Sequence, residues 1–177
     1  MTEISEKIID IYERHARVFD EDRAKAIKFI EQDWLNLFIS HLPKRAGEKL
    51  SVLDIGCGSG RPIARYLIAN GVNVTGVDSS YAMIALCRER FPNHIWSVAD
   101  MRTLNLGKAF DGLIAWDSFF HLTREDQRAM FPIFKEHANR GAALMFTSGH
   151  HNGEAIGALR DEALYHSSLD KAEYCDL

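Results

Sequence analysis

VLDIGCGSG, Val52 to Gly60, decides how the rest of the chain is read. An apolar run ends on an acid, Asp54, and a turn with glycines at 56, 58 and 60 follows. Behind the turn, Arg61 to Asn70 carries a helical pattern, with Pro62 near its start and Gly71 just past its end. Those are the helix ends that proline and glycine favour. Strand, glycine turn and helix in this order bring a backbone against a nucleotide-type ligand. Glycine removes the Cβ that would hold the ligand off, and a helix start offers bare N–H groups and a partial positive charge.

Downstream the alternation repeats. Strand-like segments at Leu50–Ile55, Val72–Val77, Ile95–Ala99, Phe110–Trp116 and Ala142–Thr147 are separated by helical ones. Ser79 or Ser80 caps a helix carrying Met83, Ile84 and Cys87 that stops at Phe91-Pro92. Thr123 caps another, with Glu125 and Asp126 in its first turn, where negative charge is favourable. Pro132 should kink or split that helix. The alternation predicts an α/β fold: a Rossmann-like parallel sheet with helices on both faces. Ser148 to Leu177 shows no strand pattern and reads as a polar loop followed by short helical pieces.

Upstream, two helices are predicted. The first is capped by Thr2 and striped by Ile4, Ile8, Ile11, Tyr12, His15, Val18 and Phe19. The second runs from about Asp22 to His41, striped by Ile27, Ile30, Trp34, Leu37 and Phe38. Lys44 to Lys49 is a polar link. Residues 1–43 therefore read as an N-terminal helical cap or lid, and 44–177 as the Rossmann-like body of a single-domain chain.

Bulk properties narrow the function. The chain has 177 residues, 46% hydrophobic and 26% charged, with a formal net charge of −4. That is globular, and it argues against a general affinity for nucleic acid or anionic membrane. No apolar run is long enough to cross a bilayer, and MTEISEKIID lacks the features of a signal peptide. Cys57, Cys87 and Cys175 fit reduced thiols, so a cytoplasmic location is expected. No metal is expected. HHNGE, with His150, His151 and Glu154, together with His166, reads as an exposed loop with His151 as a weak candidate base.

The glycine spacing selects the ligand. A dinucleotide turn needs a third glycine at position 61, which is Arg61, and the Gly-Lys-Ser/Thr ending of a P-loop is absent. The pattern is D-x-G-x-G-x-G, and an acid so near the turn repels phosphate but suits an ammonium group. Asp54, Asp78 and Asp100 end successive strands, at the rim where ligands of open parallel sheets lie. Asp78, 20 residues beyond Gly58, can accept two bonds from ribose hydroxyls, each worth about 1.5–3 kcal/mol. Asp100 lies where an adenine amino group would reach. The ligand deduced is an adenosine with a cationic, amino-acid-like tail and no phosphate.

At this point residues 50 to 147 resemble a class I S-adenosylmethionine-dependent methyltransferase of the small-molecule type. The resemblance rests on VLDIGCGSG, VTGVDSS, VADMRTL and FDGLIAWDSFFHL. It implies S-adenosyl-L-methionine as cofactor and direct methyl displacement onto a small-molecule acceptor. It implies that Gly56, Cys57 and Gly58 touch the cofactor through backbone, with Gly60 completing the turn. Asp78 would hold the ribose, flanked by Ser79 and Met83, and Asp100, Met101 and Arg102 would border the adenine. Trp116 would line the methyl-donor pocket. YERHARVFDEDR resembles the lid of such enzymes, with Tyr12 near the sulfonium and Arg23 able to reach the methionine carboxylate. Tyr12 and His151 are the only catalytic candidates; His121 reads as a structural histidine bonded to backbone.

Members of that family end their sheet with two further strands, which this chain is expected to lack. Strand five would then be an open edge, covered by the tail or by a second copy in a homodimer. A truncated or inactive S-adenosylmethionine-binding protein is the alternative function. An NAD(P)-dependent oxidoreductase is disfavoured by Arg61.

Overall fold

The computed structural model describes residues 4–25, 31–44, 47 and 49–177. Thr2, Ile27 and Ile30 lie outside them. In chain order the elements are α1 (Ile8–Lys25), α2 (Gln32–His41), β1 (Ser51–Ile55), α3 (Ile63–Ala69), β2 (Asn73–Asp78), α4 (Tyr81–Arg90) and β3 (Ile95–Val98). There follow β4 (Phe110–Ala115), α5 (Arg124–Glu136), β5 (Ala138–Phe146), β6 (Gly153–Leu159), β7 (Glu162–Ser168) and α6 (Lys171–Asp176). Short 3-10 turns stand at Ser5–Lys7, Met101–Thr103 and Phe119–His121.

Five strands form one parallel sheet in the order β3-β2-β1-β4-β5. The order reverses between β1 and β4, and a crevice opens beyond the carboxyl ends at such a switch point. Strand side chains alternate between two buried layers. Val52, Val74 and Ile114 pack with Leu35, Phe38, Leu67 and Ile84 on one face. Leu53, Ile55, Val77 and Leu113 pack with Phe119, Met130 and Phe134 on the other. Burial on both faces is why these strands read as continuous apolar runs. Gly112 in β4 lets α2 press onto the sheet: a Cβ there would stand 2.5 Å from Leu42 and 2.7 Å from Phe38.

Four expectations are corrected. First, α1 continues to Lys25, and the second helix starts at Gln32. Its buried side is Leu35 and Phe38, while Trp34 and Leu37 are exposed. Second, Pro132 does not split α5, which runs unbroken past it; Met130 and Phe134, both buried, hold the helix down on either side. Third, β5 begins at Ala138, ahead of Gly141, because Phe110 pairs with Ala138 before the register shifts. Fourth, the tail does contain strands. β6 and β7 pair antiparallel through a tight turn at Arg160-Asp161, with Leu159 opposite Glu162.

The hairpin hides from pattern reading for physical reasons. The buried positions of β7 include Ser167 and Ser168, and β6 exposes Ile156, which inverts the usual apolar-in alternation. Its turn has no glycine; Arg160 itself takes the left-handed conformation, φ 55°. The hairpin is a sheet of its own, so among the described strands β5 pairs only with β4. Among the described residues no helix is long and apolar enough to cross a membrane.

Candidate functional site

A cavity of about 380 Å³ opens at the carboxyl rim of the sheet, roofed by α1. Tyr12, Arg23, Asp54, Gly56, Cys57 and Gly58 line it, as do Asp78, Ser79 and Met83. Asp100, Met101, Arg102 and Trp116 complete the set of expected residues brought to it. Gly60 and His151 are not part of the lining. A Cβ on Gly60 would meet Phe91 at 3.0 Å and the Cys87 sulfur at 3.3 Å, so this glycine packs the turn against α4. His151 is exposed in the loop before β6.

The glycine turn is built as its spacing requires, with positive φ at Gly56, Gly58 and Gly60. Gly56 is forced by packing, since a Cβ would fall 2.3 Å from that of Ser118. Gly58 faces open space, with no atom within 4 Å of where its Cβ would be. Its N–H groups, however, are not bare. Gly56 N and Cys57 N donate to Val77 O at 2.8 and 3.0 Å, and Gly60 N donates to Cys57 O at 3.0 Å. Gly58 N donates to Asp78 Oδ2 at 2.8 Å. A phosphate cradle needs several free N–H groups converging on one anion, and here those of Gly56, Cys57, Gly58 and Gly60 are spent within the protein. The expectation of bare N–H groups facing a ligand is therefore corrected. The Cys57 thiol, pushed up by burial and by Cys87, stays protonated beneath the turn.

The three rim acids are in different states. Asp78 divides its carboxylate, Oδ2 accepting from Gly58 N and Oδ1 from Ser80 N at 2.8 Å each. Each oxygen keeps lone pairs for a further donor. Burial raises its pKa, against the pull of those two bonds. Asp54 is 1% exposed and its Oδ2 has no protein partner. Burial, then the charge of Asp78, pushes it up to about 8. Asp100 is committed to Arg102, which donates Nε at 3.0 Å to both oxygens and Nη2 to Oδ2 at 2.5 Å. Burial works to raise Asp100, but the bonds from Arg102 outweigh it and leave the group below its ordinary value.

The roof is tied down by polar contacts. Glu13 accepts from Ser80 Oγ at 2.6 Å and from Ala82 N at 3.0 Å, joining α1 to the start of α4. Asp20 is gripped by both terminal nitrogens of Arg90, whose Nη1 also reaches Ser59 O in the glycine turn at 3.1 Å. Arg14 makes a two-point pair with Glu162 of the hairpin at 2.6 and 2.7 Å. Tyr12 meets His121 Nε2 at 3.0 Å, and His121 Nδ1 meets the Tyr165 carbonyl at 2.9 Å. A carbonyl only accepts, so Nδ1 carries the proton and Nε2 accepts from the Tyr12 hydroxyl. Burial holds His121 down to about 4. Burial, then the charges of Asp117 and Asp78, pushes Tyr12 up to about 12. Both rings are neutral near pH 7. Arg23 donates Nη2 to Glu31 at 2.9 Å and stands 3.8 Å from Asp117.

The family model described as "Methyltransferase domain" matches residues 52–141, half of the chain. The chain belongs to this methyltransferase-domain family. It is 29% identical over 136 residues to the dTDP-3-amino-3,4,6-trideoxy-alpha-D-glucopyranose N,N-dimethyltransferase of Streptomyces venezuelae, covering 74% of this chain and 55% of that protein. It is 37% identical over 75 residues to the putative methyltransferase 235L of Invertebrate iridescent virus 6, covering 41% of this chain and 26% of that protein. The chain thus spans about half or less of the length of these relatives. Among solved structures, the DhpI-SAM-HEP complex superposes with a TM-score of 0.71 at 19% identity, covering 99% of this chain and 88% of that one. That likeness is one of fold.

In this methyltransferase domain the structure adds residues that sequence reasoning did not place in the site. His121, Asp117, Ser118 and Phe19 all line the cavity. The strand-four motif had already quoted three of them, but an exposed polar turn and a buried one look alike in sequence. What marks Asp117 is its backbone: φ 50°, held by its N–H donating to Thr147 Oγ1 at 2.7 Å. Among the described residues no group of three or more His, Cys, Asp or Glu side chains is arranged to hold a metal ion.

Proposed function

We propose that the cavity holds S-adenosyl-L-methionine and that the protein transfers its methyl group to a small-molecule amine. The observation that carries the first half is the Asp78–Gly58 bond at 2.8 Å within a turn that spends the N–H groups of Gly56, Cys57, Gly58 and Gly60 inside the protein. The rim therefore offers acceptors to ribose hydroxyls and an ammonium group, and little to a pyrophosphate. The orphaned Asp54 Oδ2 and the open space at Gly58 fit such a ligand.

When bound, the sulfonium cofactor supplies an electrophilic methyl group and a neutral thioether leaving group. The chain's own part is alignment and exclusion of water. Asp78 would take the ribose hydroxyls, with Ser79 and Met83 beside them. Asp100, Met101 and Arg102 would border the adenine, and Trp116 would wall the reacting end. Tyr12, fixed by His121, would hold the acceptor against that end with the lone pairs of its oxygen.

The choice of an amine follows from the protonation states. Tyr12 lies near 12 and His121 near 4, with both ring nitrogens of His121 engaged. Neither is matched to removing a proton at pH 7. An amine attacks with its own lone pair once its ammonium form has released a proton to solvent. The methylated ammonium formed sheds a further proton to solvent afterwards, so no side chain matched to proton removal is required. Asp117, on the same wall, would draw a protonated amine to the mouth. Two relatives carry N,N-dimethyltransferase names for aminodeoxy sugars, which supports the same reading. Isotope-labelled S-adenosyl-L-methionine offered with matched panels of aminodeoxy sugars and their hydroxyl analogues tests it. Label is expected on the amines; label on the hydroxyl analogues alone would reverse the choice.

A further inference from the structure

Resting on the acceptor role given to Tyr12 above, we infer that Glu162, in the turn of the β6–β7 hairpin, is a positioning residue for methyl transfer. It sets the roll of α1 about its own axis, and so the place of the Tyr12 oxygen over the cavity. Glu162 lies outside the cavity lining and acts through the helix alone.

Three faces of α1 have three different partners. Tyr12, Phe19 and Arg23 line the cavity; their spacing of about two and three turns puts them on one stripe of the helix. On one flank of that stripe, Glu13 and Asp20 are held to α4 by Ser80, Ala82 and Arg90. On the opposite flank, His15 and Asp22 face the hairpin turn. His15 Nε2 meets Glu162 Oε1 at 2.6 Å, and Asp22 accepts from Arg160 Nη2 at 2.6 Å. Arg14 reaches the same Glu162 with both terminal nitrogens, at 2.6 and 2.7 Å. A helix tied along one flank can rock about that line. Tied along both, it presents a single face to the cavity.

The turn can serve as a fixed post because the hairpin is anchored at its base. Ser167 Oγ donates to Leu122 O at 2.6 Å, and Gln127 Nε2 donates to Ser167 O at 2.9 Å. The bonds from Arg14, then His15, hold the Glu162 carboxyl down to about 2, so it stays charged near pH 7. Exposed ion pairs add little stability one at a time; what this group adds is direction. The same strand, β7, also orients His121, whose Nδ1 donates to Tyr165 O at 2.9 Å. Both members of the Tyr12–His121 bond are thereby referred to one strand, the hydroxyl through Glu162 and the imidazole through Tyr165.

Two readouts on the whole chain test this. The first is the His121 Nε2 resonance in nitrogen-labelled protein, which senses the hydroxyl that donates to it; Tyr12→Phe marks its position without that donor. Glu162→Gln, a change of charge in an open turn, should move the resonance part of the way there. The second is turnover of labelled S-adenosyl-L-methionine with the aminodeoxy sugar most readily labelled in the panel above. Glu162→Gln should lower kcat by about threefold or more, and should lower it no further in a Tyr12→Phe background, because coupled residues do not add. The dissociation constant for S-adenosylhomocysteine should stay within about twofold of the wild type. An unmoved resonance, or a loss of turnover that repeats in full on top of Tyr12→Phe, overturns the assignment. If no aminodeoxy sugar is methylated, the choice of acceptor is what fails, and the resonance decides for Glu162 by itself.

Discussion

Tyr12 and His121 meet at 3.0 Å across 109 residues of chain, the hydroxyl of the roof helix donating to a neutral imidazole in the turn after β4. The imidazole is oriented from behind by the Tyr165 carbonyl of the hairpin and stacks on His166, with ring centroids 4.8 Å apart. One contact therefore joins three parts of the fold at the wall of the cavity.

Tyr12→Phe should leave His121 Nε2 buried and unpaired, costing about 1–3 kcal/mol of stability. It should also lower kcat/KM for the acceptor by about tenfold, as the loss of one positioning bond implies. The dissociation constant for S-adenosylhomocysteine should stay within about twofold. Denaturant melts, turnover and calorimetry separate the three. A cofactor affinity that falls as far as the turnover would place Tyr12 in cofactor binding instead.

Asp54 gives a pH signature. Its ordinary value is 3.8 and its folded value about 8. Between those values the native state holds a proton that the unfolded chain has lost. The contribution of this group to stability therefore falls as pH rises from about 4 to about 8. A ligand ammonium beside it would favour the charged form, so binding should release a proton near pH 7 and strengthen as pH rises toward 8. Calorimetry of S-adenosylhomocysteine in buffers of different ionisation enthalpy measures that release. Asp54→Asn should abolish it, and a wild type that releases none contradicts the ammonium assignment.

Asp20→Asn should loosen the roof. The Asp20 and Arg90 side chains are 8% and 19% exposed, and Arg90 also touches the glycine turn through Ser59 O. Removing the carboxylate charge strands a largely buried guanidinium, at a cost of about 3 kcal/mol. Limited proteolysis should then cut within α1 faster than in the wild type. Unchanged protection of α1 with a lowered melting temperature would show that the pair holds α4 alone.

The legible parts of this fold are those with local causes. β1, β2 and β4 are buried on both faces, so Val52–Ile55, Val74–Val77 and Phe110–Ala115 appear as apolar runs whatever surrounds them. The same locality brought Asp54, Asp78 and Asp100 to one rim. What stayed hidden depends on distant partners. The N–H groups of Gly56 and Cys57 are spent on Val77 O, across the sheet. Gly60 answers to Phe91 and Cys87 in α4 rather than to a ligand. Arg23 answers to Glu31. The hairpin buries serines and exposes an isoleucine because its environment is set by α1 and by the turn carrying His121, which no window of sequence contains.

The central claim is that the rim of this sheet binds an adenosyl amino acid and not a dinucleotide. Calorimetry with S-adenosylhomocysteine and with NAD tests it most directly, in the wild type and in Asp78→Ala. The account predicts saturable binding of S-adenosylhomocysteine, weakened by about tenfold or more in Asp78→Ala, and no heat with NAD. Binding of NAD, or of S-adenosylhomocysteine with equal affinity in both proteins, would contradict it.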